Sequence, residues 1–451
     1  MKISITVITI LITAITSQAQ FSDKKAIGTS HFSKEQNVNA FDLDGDEDMD
    51  ILLPNRWYKN LGSGRFEKHT IGDQSEKQAS AFAADLDGDN DLDVILCHSY
   101  RVVWCENDGK GGFSTEKVMI EIEWDWFWSV YAQDLDGDGD MDVLATAEND
   151  QKIFWFENNG SGTFSTRKMI FQRKSYDDYP LVRAGDLDGD GDVDVLSATL
   201  WGGELRWYEN LGNDGFSEPY LIHNSATHTT SIHMIDIDGD SALDILTACK
   251  DDSIVWYKNN GSGIFSPPML ITTSADHPNS VYATDLDGDG DIDVLSASKF
   301  DDKVAWYENK GNELFSEQKI INNNAKEASA VYATDIDGDQ DIDVISISDG
   351  ANVFWYENDT TEIGAIILTP QNRLSVYPNP VKDVLTVAFV DRREVREQIA
   401  IFNMQGQQMK FDVEAAKNTT KIYVSHLPSG IYKLSVLHDN LVTTKLITIL
   451  K

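Results

Sequence analysis

Asp285-Leu286-Asp287-Gly288-Asp289-Gly290-Asp291-Ile292-Asp293 places an acid at every second position of nine residues. The same D-x-D-G-D-x-D-x-D pattern begins at Asp42, Asp85, Asp134, Asp186, Asp236, Asp285 and Asp335, with Ala242 at the seventh position of the fifth copy. Successive copies start 43 to 52 residues apart. Each is followed by an apolar run, such as Val294-Leu295-Ser296-Ala297, and then by Trp plus a second residue, with Asn two further on. The pairs are Trp57-Tyr58, Trp104-Cys105, Trp155-Phe156, Trp207-Tyr208, Trp256-Tyr257, Trp306-Tyr307 and Trp355-Tyr356. A Gly-rich turn and a Phe close the unit, as in Gly261-Ser262-Gly263-Ile264-Phe265.

Alternating and β-branched residues between Asp, Asn and Gly turns favour strands over helices. In the sixth unit the strands are expected at Ser280–Thr284, Asp293–Ala297, Val304–Glu308 and Phe315–Ile321. Four strands in about 50 residues is the signature of a propeller blade. An open solenoid would need polar caps at both ends. The ends argue for a ring instead. The last unit stops after its third strand, at Glu357-Asn358, while Phe21-Ser22-Asp23-Lys24-Lys25-Ala26-Ile27 repeats the pattern of Phe315-Ser316-Glu317-Gln318-Lys319-Ile320-Ile321. The expected fold is all-β, a seven-bladed β-propeller over residues 20–358 whose N-terminal strand completes the last blade. A small C-terminal β-sandwich follows.

The acids read as metal ligands. The expected ligands are Asp42, Asp44, Asp46 and Asp50; Asp85, Asp87, Asp89 and Asp93; Asp134, Asp136, Asp138 and Asp142; Asp186, Asp188, Asp190 and Asp194; Asp236, Asp238, Asp240 and Asp244; Asp285, Asp287, Asp289 and Asp293; and Asp335, Asp337, Asp339 and Asp343. Hard oxygen donors without His or Cys select calcium, up to seven structural ions. The ninth-position Asp would close the shell, and the seventh position would give its main-chain carbonyl, since Ala242 is tolerated there. The invariant fourth-position Gly allows the loop to turn around the ion. An EF-hand is excluded, because it needs Gly at position six and Glu at twelve, where this chain has residues such as Leu53 and Leu96.

The chain has 451 residues, 41% hydrophobic, and a net charge of −38. So acidic a chain is no nucleic-acid binder. Lys2, the apolar run Ile3–Ile15 and Ser17-Gln18-Ala19 read as a secretion signal, residues 1–19, cut after Ala19. The run is too short to span a bilayer, and no later segment qualifies. Three cysteines, Cys97, Cys105 and Cys249, read as small buried hydrophobes rather than as a disulfide framework.

The aspartate loops, the strand after each and the sevenfold count resemble the FG-GAP/VCBS repeat propellers, which are related to the integrin α-chain head. The resemblance implies calcium at the hairpins of one face and ligand contacts on the opposite face. Beyond a linker at residues 359–374, the order of Tyr377-Pro378-Asn379-Pro380, Ile401-Phe402-Asn403-Met404-Gln405-Gly406, Leu427-Pro428-Ser429-Gly430-Ile431-Tyr432 and a final Lys445-Leu446-Ile447 resembles the type A sorting domain of the type IX secretion system of Bacteroidota, over residues 375–451. This implies export by that machinery, with the product released or anchored on the outer-membrane surface.

The face away from the aspartate loops is where the repeat varies most. Trp124, Trp126 and Trp128 crowd one inter-blade segment, Tyr176 and Tyr179 the next, and Trp201 a nearby hairpin. Aromatics beside carboxylates suit stacking on a sugar ring or a protein hot spot. The expected role is therefore a non-catalytic binding or adhesion module for a glycan or surface protein. The alternative is a polysaccharide lyase, which needs a His, Tyr or Lys base near Arg or metal. His228, His233, His277, Arg101 and Arg183 are the available groups, but His228 and His277 fall at one repeat position and no catalytic constellation stands out.

Overall fold

The computed structural model describes residues 19–29, 38–74, 78–123, 125–149, 151–172, 180–212, 215–224, 228–311, 313–359, 374–377, 381–389, 398–403, 408–415, 419–438 and 441–449. The expected leader, residues 1–19, lies outside them except for Ala19, as does most of the linker. Every regular element described is a strand. The chain forms two compact units, one over Thr16–Thr361 and one containing Glu362–Lys451.

The first unit is a propeller of seven four-stranded antiparallel sheets. The sixth sheet orders Pro278–Thr284, Asp293–Ser298, Lys303–Tyr307 and Lys319–Asn322. Its fourth strand starts later than the pattern suggests. Phe315 forms only an isolated bridge with Asn309, because Ser316 next to it accepts the Glu308 N–H on its hydroxyl at 3.0 Å and interrupts the ladder. The seventh sheet pairs Ala330–Thr334, Asp343–Ser348 and Asn352–Tyr356, and its fourth strand is Lys25–Thr29, with Lys25 opposite Trp355. Phe21 bridges Asn358 as Phe315 bridges Asn309.

Second strands are buried along their whole length, for example Asp293–Ser298 and Asp343–Ser348. The core is divided into seven seams, each between two blades. One holds Leu196, Trp207, Ile232 and Tyr257; another joins Ile51 and Tyr58 to Ile345 and Trp355 across the closure. Burial of this apolar area is the main stabilising term, and it grows only as neighbouring blades dock. All three cysteines are buried and free, as the reading of them as small buried hydrophobes expects.

The second unit packs two four-stranded sheets as a sandwich. Leu385, Val387 and Ile422 of one sheet meet Ile401, Leu434 and Ile447 of the other. No helix among the described residues is long and apolar enough to cross a membrane.

Candidate metal centres and the opposite face

Each aspartate loop joins the first and second strands of its blade, and its carboxylates first organise the loop itself. In the fourth blade, Asp186 accepts the Gly189 N–H on Oδ1 at 2.7 Å and the Gly191 N–H on Oδ2 at 3.1 Å. Asp190 accepts the Asp192 N–H at 2.9 Å. The ninth residue, Asp194, is fully buried and accepts the N–H groups of Leu187 and Asn210 on its two oxygens. These bonds leave one lone pair on each oxygen for a cation.

Both the fourth and the sixth positions carry positive φ. The fourth is always Gly, but the sixth is Glu47, Asn90, Ser241 or Gln340 in four copies, with φ between 71° and 78°. The second of these turns was not visible from one copy, since only Gly139, Gly191 and Gly290 signal it.

The loops bring their acids together. Asp42, Asp44 and Asp50 offer oxygens within 4.8 Å of one another, as do Asp85, Asp87 and Asp93, Asp186, Asp188 and Asp194, and Asp236, Asp238 and Asp244. In the third loop the group is Asp134, Asp136 and Asp138. There Asp142 also accepts the Trp155 indole N–H on Oδ2 at 3.0 Å, so that oxygen is taken up.

Burial dominates the charge of the ninth-position acids. Burial pushes Asp293 up to about 8 and Asp50, Asp93, Asp142, Asp194 and Asp343 up to about 7, although backbone N–H groups pull the other way. Burial and the neighbouring Asp289 raise Asp287 to about 6. Oδ1 of Asp87, Asp287 and Asp337 is buried and meets no donor at hydrogen-bonding geometry. Orphaned carboxylate oxygens converging with their neighbours can hold a divalent cation, and an all-oxygen donor set suits a hard ion.

The Asn after each Trp pair links one loop to the next. Its N–H donates to the ninth-position Asp of its own blade, and its Nδ2 donates to the second-position carbonyl of the preceding blade's loop. Thus Asn107 reaches Leu43, Asn158 reaches Leu86, Asn210 reaches Leu135, Asn259 reaches Leu187, Asn309 reaches Ile237 and Asn358 reaches Leu286. Asn60 reaches Ile336 of the seventh blade at 2.7 Å and completes the circle.

Three residues before each first Asp, the first strands present one side chain to the axis. In blade order these are Asn39, Phe82, Tyr131, Arg183, His233, Tyr282 and Tyr332. Phe82 meets Tyr131 at 4.7 Å, Arg183 lies over Tyr131, His233 meets Tyr282 at 4.6 Å and Tyr282 meets Tyr332 at 4.5 Å. They border an axial cavity of about 300 Å³. Burial, then Arg183, pushes His233 down to about 4, so it is neutral. This collar escapes single-repeat reading because its residue type changes in almost every copy.

On the face opposite the loops, Trp126 is exposed and meets Tyr100 edge-on at 6.1 Å. Trp128 is half-buried within the strand Phe127–Gln133. Trp124, Tyr176 and Tyr179 lie outside the described residues. The carboxylate beside Trp126 is not a free acceptor for a ligand: Asp125 is buried and paired with Lys152 at 2.5 Å. Trp201 is exposed, meets His228 edge-on at 5.0 Å and carries the Lys250 ammonium 4.0 Å from its ring. Next to it His277 stacks on the exposed Phe300 at 4.4 Å, with Lys299 over the same ring. Burial and then Lys299 lower Lys250; burial, Lys250 and Lys299 lower His277. The surface around Trp201 and Phe300 thus sets two lysines against aromatic rings, with Asp252 accepting the His277 backbone N–H at 2.9 Å.

A sequence profile described as FG-GAP-like repeat matches residues 85–145, 134–197, 186–247, 236–296 and 285–346 in overlapping copies. The chain belongs to the FG-GAP-like repeat family. A second profile, the secretion system C-terminal sorting domain, matches residues 375–450. The FG-GAP-like protein is thus a substrate of type IX secretion, delivered to the cell surface or extracellular space, and its C-terminal domain engages that machinery. No curated protein matches it in sequence. Among solved structures, it is similar to an Agrocybe aegerita lectin that recognises non-reducing terminal N-acetylglucosamine, with TM-score 0.52 and 18% identity over 73% of this chain and 87% of that one. It is also similar to a chain of the BBS1N–ARL6DN complex, with TM-score 0.54 and 12% identity over 75% and 97%. At these identities the likeness is one of fold.

Proposed function

We propose that this protein is a calcium-stabilised, non-catalytic binding module that presents a glycan or protein ligand at the cell surface. The observation that carries the binding role is the aromatic and basic row of Trp201, His228, Lys250, His277, Lys299 and Phe300. Exposed rings held by cations supply flat stacking surfaces at little entropic cost, and the bases give hydrogen-bond donors at the rim. Calcium rests on the orphaned oxygens and the hard donor set: a loop lined by several carboxylates and a carbonyl tolerates the seven- or eight-fold shell that calcium favours, whereas magnesium demands a strict octahedron. The loops would hold the ion at the first, third, fifth and ninth Asp. Its chemistry there is neutralisation, tying the first two strands of each blade.

Glycan and surface-protein arrays probed with the mature chain, with and without calcium, test the reading. Trp201→Ala should remove any hit; retained binding moves the site elsewhere. A second reading, a polysaccharide lyase, is favoured by one observation: Arg183, neutral His233 and Tyr282 meet in the axial cavity. Formation of unsaturated uronate product from acidic polysaccharides, lost in His233→Ala, would establish it.

A further inference from the structure

The seven nests are not chemically equal. The residue between the aromatic pair and the Asn is Glu106, Glu157, Glu209, Glu308 or Glu357 in five blades, but Lys59 in the first and Lys258 in the fifth. In the five, a fourth-strand group holds the glutamate. Lys117 pairs with Glu106, Lys168 with Glu157, Lys319 with Glu308 and Lys25 with Glu357, each ammonium lying over that blade's Trp, and the Tyr220 hydroxyl donates to Glu209. In the other two the fourth strand carries no such cation. His69 stacks on Trp57 at 4.8 Å, and Met269 stands opposite Trp256. The positive charge has moved inward. Lys59 pairs with Asp44 and lies 3.1 Å from Asp46; Lys258 pairs with Asp238 and lies 3.3 Å from Asp240. These aspartates are third- and fifth-position ligands of their loops.

We propose that Lys59 and Lys258 are built-in counter-ions of the first and fifth loops, so that the propeller holds five tight calcium ions and two loops neutralised by lysine. The inference rests on the calcium reading above. Asp44 is buried and its Oδ1 is otherwise unpartnered, so removing the ammonium without supplying a cation would leave a bare carboxylate. A calcium ion entering either loop must displace an ammonium already bonded to its ligands, or sit beside it. Relative to a glutamate there, the lysine changes the local charge by two units. At contact range that weakens calcium by at least about tenfold. The fifth loop is weaker still in charge, since Ala242 replaces an acid.

Native mass spectrometry and titration against a calcium-binding dye, on the mature chain at neutral pH, decide the point. Wild type should hold five tight ions. Lys59→Glu and Lys258→Glu should each add one and the double variant two, while the reciprocal Glu308→Lys should remove one. Circular dichroism confirms that each variant is folded. Seven ions of equal affinity in wild type, or any count that Lys59→Glu and Lys258→Glu leave unchanged, overturns the lysine assignment and leaves the calcium reading standing. A wild-type chain that binds no calcium overturns both.

Discussion

Asn107→Ala removes one link from the circle of side-chain amides. The wild-type Nδ2 donates to Leu43 O at 2.7 Å and Leu92 O at 2.9 Å, and the residue is 4% exposed. Its backbone N–H stays on Asp93, so only the side-chain donors are lost. One deprived carbonyl is buried and the other partly buried. A buried polar group left without a partner costs roughly 1–3 kcal/mol, and water can reach the second, so the loss should total about 2–4 kcal/mol. The exposed Asn159, which caps only its own turn, is the control, and Asn159→Ala should cost under about 1 kcal/mol. Guanidinium unfolding followed by tryptophan fluorescence reads both as shifts in midpoint at constant slope. Asn309→Ala breaks an equivalent link in a distant blade, and the double variant should add within roughly 0.5 kcal/mol. If Asn107→Ala costs no more than the surface control, the amide bridges are not what joins one loop to the next.

Chelation should lower the melting temperature sharply, and added calcium, but not equimolar magnesium, should restore it; each loaded loop contributes about 2.7 kcal/mol at a hundredfold excess over its Kd. An unchanged melt in EDTA would dismiss the structural role of the ion. Deleting residues 375–451 should leave the propeller in the periplasm, as seen by cell fractionation; normal export of the truncated chain refutes the role of the tail. Gln340→Gly, at φ 78°, should stabilise by roughly 0.5–1 kcal/mol, whereas Gly191→Ala, at φ 97° with open space around the new methyl group, should destabilise by about 1–2 kcal/mol through backbone strain alone. Thermal melts of the calcium-loaded protein check both.

The all-β class could be read from sequence because the signals repeat. One Trp-x-x-Asn segment says little, but seven in step with seven acidic loops fix strand order and turn positions together. The same repetition hid other features. The axial collar shares a position and not a residue type, so only the first strands show that Arg183 and His233 stand at one level. The expected fourth strand of the sixth unit, Phe315–Ile321, begins only at Lys319, because Phe315 continues an apolar pattern while the hydroxyl of Ser316 breaks the pairing; in the first blade, with Glu67 in that place, the strand does begin at Phe66. The aromatic segment around Trp126 suggested an acidic sugar-binding surface. Asp125 is instead consumed by Lys152, a contact between an inter-blade loop and the strand Lys152–Phe156 that spacing alone does not reveal.

The pairing of Lys25–Thr29 with Asn352–Tyr356 acts as a clasp with consequences in time. The propeller's first strand in chain order has to wait for one more than three hundred residues further on, so no blade order allows the hoop to be sealed progressively from the front. The entropy of bringing such distant segments together is spent at this closure rather than blade by blade. Until then the edges of Lys25–Thr29 and Asn352–Tyr356 stay unpaired and open to a wrong partner.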